Sequence, residues 1–187
     1  MRKITFLMHV SLDGFVAGPN GEMNWIYVDE PMFDFVGTLT DAADAALYGR
    51  KTYEMMDAYW PEAGRQPAAS KHDIEHSAWY NNVDKYVLSE TLQSDPAKKL
   101  HIVSGNVAGQ LNALKSEEGR GILMLGSPTA WRTVLNHALA DEMWLFVNPV
   151  ILGEGIRLFD EVKDKHFPVF VESRQFGPVT ALHYRKP

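Results

Sequence analysis

Apolar positions fall into short runs separated by turn residues, and their period changes from run to run. Lys3 to Ser11 is apolar at both odd and even positions, which predicts a strand buried on both faces. Asp13-Gly14 and Gly18-Pro19-Asn20-Gly21 follow as turn signals. From Met32 to Asp44 the spacing is helical, with Phe33, Val36 and Leu39 or Thr40 along one stripe. Ala45 to Tyr48 predicts a short strand ending at Gly49, and Arg50 to Ala58 a helix. Pro61 to Asn82 carries no clear period; it holds Gly64-Arg65-Gln66-Pro67 and a helical turn around Ile74. Lys85 to Ser89, His101 to Val103, Gly121 to Leu125 and Met143 to Val147 are predicted strands. Helices are expected from Val107 to Lys115 and from Pro128 onward. Pro168 to Ser173 and Val179 to Tyr184 form a closing strand pair around Phe176-Gly177-Pro178.

Early strands alternate with helices, so they should run parallel through right-handed crossovers. The last strands have no helix between them and should pair antiparallel at one edge. The expected fold class is therefore α/β: a mixed, mostly parallel sheet with helices on both faces and an antiparallel C-terminal edge. With 187 residues and no repeat or linker, residues 1–187 read as a single domain.

Composition narrows the function classes. Hydrophobic residues make up 45% and charged residues 22%, which fits a soluble globular protein. No apolar run approaches the roughly 20 residues of a membrane span, and the first residues read as a strand, not a leader. The chain has no cysteine, which excludes disulfides, thiolate metal sites and cysteine nucleophiles and suits a cytoplasmic location. A net charge of −6 argues against nucleic acid as a main partner. Any anionic ligand must be held by local groups, not by the overall field.

Three predicted strand ends supply such groups: Gly49-Arg50-Lys51-Thr52, Ser89-Glu90-Thr91 and Gly126-Ser127-Pro128. In open α/β sheets ligands sit beyond the carboxyl ends of the strands, where helix N-termini favour negative charge. Each segment alone is equally an ordinary strand-to-helix turn; three in one sheet point to an anionic cofactor.

Five segments stand out along the chain, in this order: Ser11 to Gly18, Leu47 to Glu54, Val103 to Val107, Leu123 to Ser127, and Leu139 to Gly155. In this set the chain resembles the dihydrofolate reductase superfamily, in particular the C-terminal reductase domain of the riboflavin-biosynthesis deaminase/reductase. The resemblance implies a reductase with NADPH extended across the sheet. Val16, Ala17 and Gly18 would lie beside the nicotinamide. Gly49, Arg50, Lys51 and Thr52 would meet the pyrophosphate and the 2′-phosphate side, Ser89 the adenosine phosphate, and Gly126 and Ser127 the pyrophosphate. Gly153, Glu154 and Gly155 would form a loop near substrate or nicotinamide. Glu90 stands where folate reductases favour a small hydroxyl residue, and a carboxylate there would repel the 2′-phosphate, which opens NADH use. Ser127-Pro128 replaces the family's glycine pair.

Folate reductases carry a carboxylate on the first helix, and Asp34 lies nearest that place. It reads equally as a solvated helix residue. Asp13 is the other candidate acid, with an Asx-turn as the competing reading. Trp25 falls where a pocket-lining or a core tryptophan would stand. His9 reads as a satisfied core or pocket histidine. His72 and His76 share metal-ligand spacing, but no third ligand is recognisable, so no metal is expected.

The implied activity is NAD(P)H-dependent reduction of a small heterocycle, with the riboflavin-pathway aminouracil ribosyl phosphate as the specific candidate. Dihydrofolate reduction and a non-catalytic nucleotide-binding module of the same fold are the alternatives. The riboflavin-type relatives imply a homodimer, to which Met143 to Val147 would offer an apolar edge or face; a core strand is the plainer reading.

Overall fold

A computed structural model describes every residue, Met1–Pro187, and builds its core around β1, Lys3–Ser11. Strand side chains alternate between faces, and here both faces are covered. Ile4, Phe6, Met8 and Val10 join one buried cluster, and Leu7 joins the other. Around β1 run β2 (Phe15–Ala17), α1 (Glu30–Asp41), β3 (Ala45–Gly49), α2 (Arg50–Ala63), α3 (Lys71–Asn82) and β4 (Asp84–Leu88). The chain continues through β5 (Leu100–Val103), α4 (Val107–Ser116), β6 (Gly121–Leu125), α5 (Pro128–Asn136) and β7 (Glu142–Asn148). It closes with β8 (Ile156–Arg157), β9 (Val169–Phe176) and β10 (Val179–Arg185).

Eight strands form the main sheet in the order β5-β4-β3-β6-β1-β7-β10-β9. The first six are parallel, and β10 and β9 complete the edge antiparallel. Leu111 and Leu114 of α4 and Trp131 and Val134 of α5 cover one face. Met32 and Phe35 of α1, Tyr53 of α2 and Tyr80 of α3 cover the other. This is the expected mixed α/β sheet, and Trp131 is a core anchor stacked on Phe6 with ring centroids 4.0 Å apart. No helix is long and apolar enough to cross a membrane.

Four local features differ from the expectation or sharpen it. Helix α2 runs to Ala63 instead of Ala58, with Pro61 accommodated in its last turn. The unreadable Pro61 to Asn82 segment contains a full helix, α3, started by a capping box. Ser70 accepts from the Asp73 N–H, and Asp73 accepts from the Ser70 N–H. Its buried residues are His76, Ser77 and Tyr80, so the inward face carries no aliphatic stripe. The pair β2 and β8 forms a separate two-stranded sheet, too short to show any alternation. Strand β7 lies between β1 and β10 with Trp144, Leu145 and Phe146 buried, so it is a core strand and offers no edge.

Ion pairs hold the amino-terminal end of the parallel strands. Arg2, 7% exposed, pairs with Asp44. Lys115 is 5% exposed and donates to the Leu139 carbonyl and the Asp141 carboxylate, which also accepts from the Ile4 N–H at 2.8 Å. Removing one partner of a buried pair strands the other charge. Asp141→Ala, which strands the buried Lys115 ammonium, is therefore expected to cost about 3 kcal/mol, and Lys115→Met clearly less, because the Asp141 it leaves is part-exposed and keeps the Ile4 N–H. Urea unfolding of the two variants checks this; equal costs would contradict it.

Candidate functional site

The opposite, carboxyl end of the parallel strands is open. A cleft of about 840 Å³ runs along it, within the range of built ligand sites, roughly 300–1,000 Å³. It touches the ends of β5, β4, β3, β6 and β1, five neighbouring strands, which spans on the order of 20 Å. One half is polar and lined by Gly49 to Thr52, Ser89, Glu90 and Gly126 to Thr129. The other is apolar, between β1, α1, α2 and α3.

The polar half is organised by two helix starts. A helix begins with N–H groups that have no intrahelical partner. In α1, α3 and α4 a side chain caps them, from Asp29, Ser70 and Asn106. In α2 and α5 no side chain does, and these two helices begin in the cleft wall. The turns before them are locked together. Gly49 donates its N–H to Ser127 Oγ at 2.7 Å. A Cβ on Gly49 would press on Ala130 Cβ and Ser127 Oγ at 3.3 Å, and one on Gly126 would touch Thr52 at 3.4 Å. Gly126 (φ +66) and Ser127 (φ +67) are both left-handed, a conformation costing a non-glycine residue on the order of 1 kcal/mol. That strain turns α5 toward the cleft beside α2. The Ser127 hydroxyl thus accepts from the neighbouring turn. Uncapped N–H groups, an inward helix dipole, Lys51 without a protein partner and Arg50, paired to Glu54 at 3.0 Å, make a cradle that fits an extended diphosphate.

At the β4 end, Ser89 Oγ accepts from the Thr91 and Leu92 N–H groups, and Glu90 accepts from the Gly105 N–H at 3.3 Å. The Glu90 carboxylate is exposed on the cleft rim.

Val16 and Ala17 of β2 form the wall where the polar and apolar halves meet, with Ile156 of β8 beside them. Gly155 (φ +145) allows this, because an added Cβ would strike the Ala17 carbonyl. Gly18, Gly153, Glu154 and Gly155 lie behind the wall and do not line the cleft. Asp13 pins that loop: it accepts from Ser11 Oγ at 2.7 Å, the Leu152 N–H at 3.1 Å and the Gly153 N–H at 2.7 Å. The Ser11 hydroxyl bond, more than the backbone bonds, draws its carboxyl down to about 2. Asp13 is therefore an ionised tether away from the cleft, matching the Asx-type reading, and holds no proton to donate near neutral pH.

Asp34 is also outside. Met32, Phe33 and Val36 of α1 face the cleft, whereas Asp34 is exposed and pairs with Lys71 of α3 at 2.6 Å. Trp25 donates its indole N–H to the Glu22 carbonyl at 3.1 Å, and its neighbours Met23 and Ile26 line the cleft instead of it.

The group that does face the apolar half is His9. Asn148, 1% exposed, accepts from the Tyr27 N–H with Oδ1 at 2.9 Å. Its Nδ2 must then be the donor toward Phe146 O at 3.0 Å and His9 Nδ1 at 3.2 Å. An amide nitrogen only donates, so His9 Nδ1 accepts and the ring proton sits on Nε2. The ring's one protein hydrogen bond is that to Asn148, which leaves the Nε2–H without a protein acceptor, and His9 lines the cleft. Burial lowers the His9 pKa to about 4, so the ring is neutral. No signal near His9 in the sequence marks this; the deciding partner is 139 residues away.

The profile of the RibD C-terminal domain matches residues 2–182. The chain belongs to that family. The uncharacterized Bacillus subtilis protein YyaP is 34% identical over 180 residues, covering 94% of this chain and 90% of that one. A candidate riboflavin biosynthesis protein from Shewanella sp. PV-4 superimposes with a TM-score of 0.75 at 23% identity, covering 100% and 99% of the two chains. The Thermotoga maritima diaminohydroxyphosphoribosylaminopyrimidine deaminase/5-amino-6-(5-phosphoribosylamino)uracil reductase gives 0.69 at 18% identity; this chain is fully covered and spans 57% of that one. The two solved structures share the mixed sheet and its dihydrofolate reductase-like arrangement, and family membership supports a reductase-like domain.

Proposed function

We propose that the chain is an NAD(P)H-dependent reductase acting on a C=O or C=N bond of a small ring compound. The observation that carries this is the pair of uncapped helix starts, α2 and α5, converging on the middle of a cleft whose far half is apolar. Family membership supports it. Gly49, Arg50, Lys51, Thr52, Gly126 and Ser127 would hold the cofactor's diphosphate, Ser89 its adenosine side, and Val16 and Ala17 its nicotinamide face. Gly18, Gly153 and Gly155 would act behind that face by shaping the β2–β8 wall. The nicotinamide, when bound, supplies the hydride.

His9 lies on the strand facing the apolar half. As negative charge develops on the substrate's oxygen or nitrogen, its Nε2–H would donate a hydrogen bond there. Neutral imidazole is a poor acid, so the proton that completes the reduction would come from solvent. Burial on both faces of the sheet keeps this donor fixed. No carboxylate lines the apolar half, which removes the support for dihydrofolate as the substrate. Purified protein should oxidise reduced nicotinamide only when offered a suitable ring carbonyl or imine; a broad panel without turnover would count against the proposal.

NADPH is the cofactor we favour from family membership, with Glu90 acting against it. A carboxylate near a phosphate costs about 1 kcal/mol across a few ångströms of water, so Glu90→Gln should raise the NADPH-over-NADH affinity ratio about fivefold. An unchanged ratio would mean that Glu90 faces away from the ribose.

We also propose a homodimer, through β9 in place of β7. Strand β9 is the sheet edge, and Val169, Phe170 and Val171 are exposed on it. Light scattering should give twice the chain mass, falling to one with Phe170→Lys; a monomeric wild type would overturn this.

A further inference from the structure

The apolar half of the cleft carries more information than its hydrophobicity. Its wall is Met32, Phe33 and Val36 from α1, Met56 and Trp60 from α2, and His76 from α3. No lysine, arginine, aspartate or glutamate stands among the residues of that half; the cleft's two cations, Arg50 and Lys51, start α2 beside the diphosphate cradle. His76 is 4% exposed, and neither ring nitrogen has a hydrogen-bond partner. Its ring lies 4.0 Å from that of Trp60, centroid to centroid, and 5.3 Å from that of His72, which stacks on Phe33 at 4.0 Å. Two rings four residues apart on α3 therefore close the cleft with aromatic surface and one orphaned polar group.

A buried polar atom in a native protein is almost always paired, by protein, water or ligand. Aromatic and thioether walls favour a flat apolar body. A phosphate dianion placed there would lose its hydration with no cation to replace it. We propose that this half takes an uncharged, largely apolar ring compound that carries a hydrogen-bonding group for His76 besides the reacting bond at His9, and that it excludes phosphorylated sugars. The assignment rests on the reductase reading only in naming this ligand the substrate. It separates this chain from a substrate such as the ribosyl phosphate named in the Thermotoga maritima relative. Burial holds both imidazoles down, His76 to about 3, so neither adds positive charge that would offset an anion. In the reduction of an aldehyde the carbon gains hydride from the nicotinamide, the C=O π pair moves to oxygen, and oxygen gains a proton from solvent. His76 neither gains nor loses one.

Calorimetric titration of the wild-type protein with 1-naphthaldehyde, naphthalene and 1-naphthyl phosphate tests the assignment. Naphthaldehyde should bind about tenfold tighter than naphthalene, the scale of satisfying one buried polar group. Naphthyl phosphate should bind on the order of a hundredfold weaker than the aldehyde. In His76→Phe the gap between aldehyde and hydrocarbon should close while the hydrocarbon still binds. If that variant does not fold, the wild-type series still decides. Equal or tighter binding of the phosphate, or a gap that survives in His76→Phe, would overturn the assignment. Aldehyde binding in a protein that binds neither nicotinamide would preserve it and remove the reductase reading. Nicotinamide binding with a preference for the phosphate would do the reverse.

Discussion

His9→Phe is expected to lower kcat by about two to three orders of magnitude, the usual cost of removing one preorganised donor from developing charge. The ring is fixed by Asn148 and by contact with Phe146, whose centroid is 5.1 Å away, so no reorganisation accompanies the reaction. Because the donor is outside the diphosphate cradle, nicotinamide affinity should change by less than about threefold, leaving the loss in kcat. Asn148→Leu should give a smaller loss of the same kind, since it removes the group that sets the tautomer. Steady-state kinetics with direct cofactor titration separates the two effects. A His9→Phe enzyme with normal kcat would show that the substrate's heteroatom faces another wall.

Acid should destabilise the protein well above the range where its carboxylates protonate. His9 and His76 are buried neutral, with pKa values lowered by burial to about 4 and about 3. An unfolded histidine titrates near 6.5. Below that value the unfolded chain takes up protons that the folded chain refuses, so stability falls as pH falls, by about 1.4 kcal/mol per pH unit for each fully buried ring. The fall runs from about pH 6.5 down to the folded values; at pH 5 His76 contributes on the order of 2 kcal/mol, and His9, whose ring borders the cleft, less, of a typical total of about 5–15. Asp13 acts in a lower window: its depressed pKa keeps its contribution intact above about 3.8 and loses it toward about 2. Urea unfolding at pH 7 and pH 5 should show the histidine effect, reduced in His76→Phe. Equal stability at both pH values would mean that the rings reach water.

The sheet was legible because its strands are apolar runs broken by glycine, and its parallel order follows from the helices between them. The cradle was legible too, since Gly49 and Gly126 stand at strand ends and Pro128 starts a helix. Helix α3 was not, because it buries His76, Ser77 and Tyr80 and so lacks the aliphatic period that sequence reading relies on. Strands β2 and β8, at three and two residues, are stabilised by their partner and leave no pattern of their own. Asp34 illustrates a finer limit. Resemblance placed a carboxylate near the right turn of α1, but a rotation about the helix axis decides which side faces the cleft, and Met32, Phe33 and Val36 take it. His9 shows the opposite case, a residue whose role depends on a partner at the far end of the chain.

The cleft is expected to hold a reduced nicotinamide dinucleotide across the strand ends. Titration of wild-type protein with NADPH and with NADH, followed by intrinsic tryptophan fluorescence, tests it most directly. The expected result is saturable quenching at one site per chain, weakened by about tenfold or more in Gly126→Val, where a branched side chain must adopt the left-handed conformation beside Thr52. Saturation by neither cofactor in folded wild-type protein would contradict the claim.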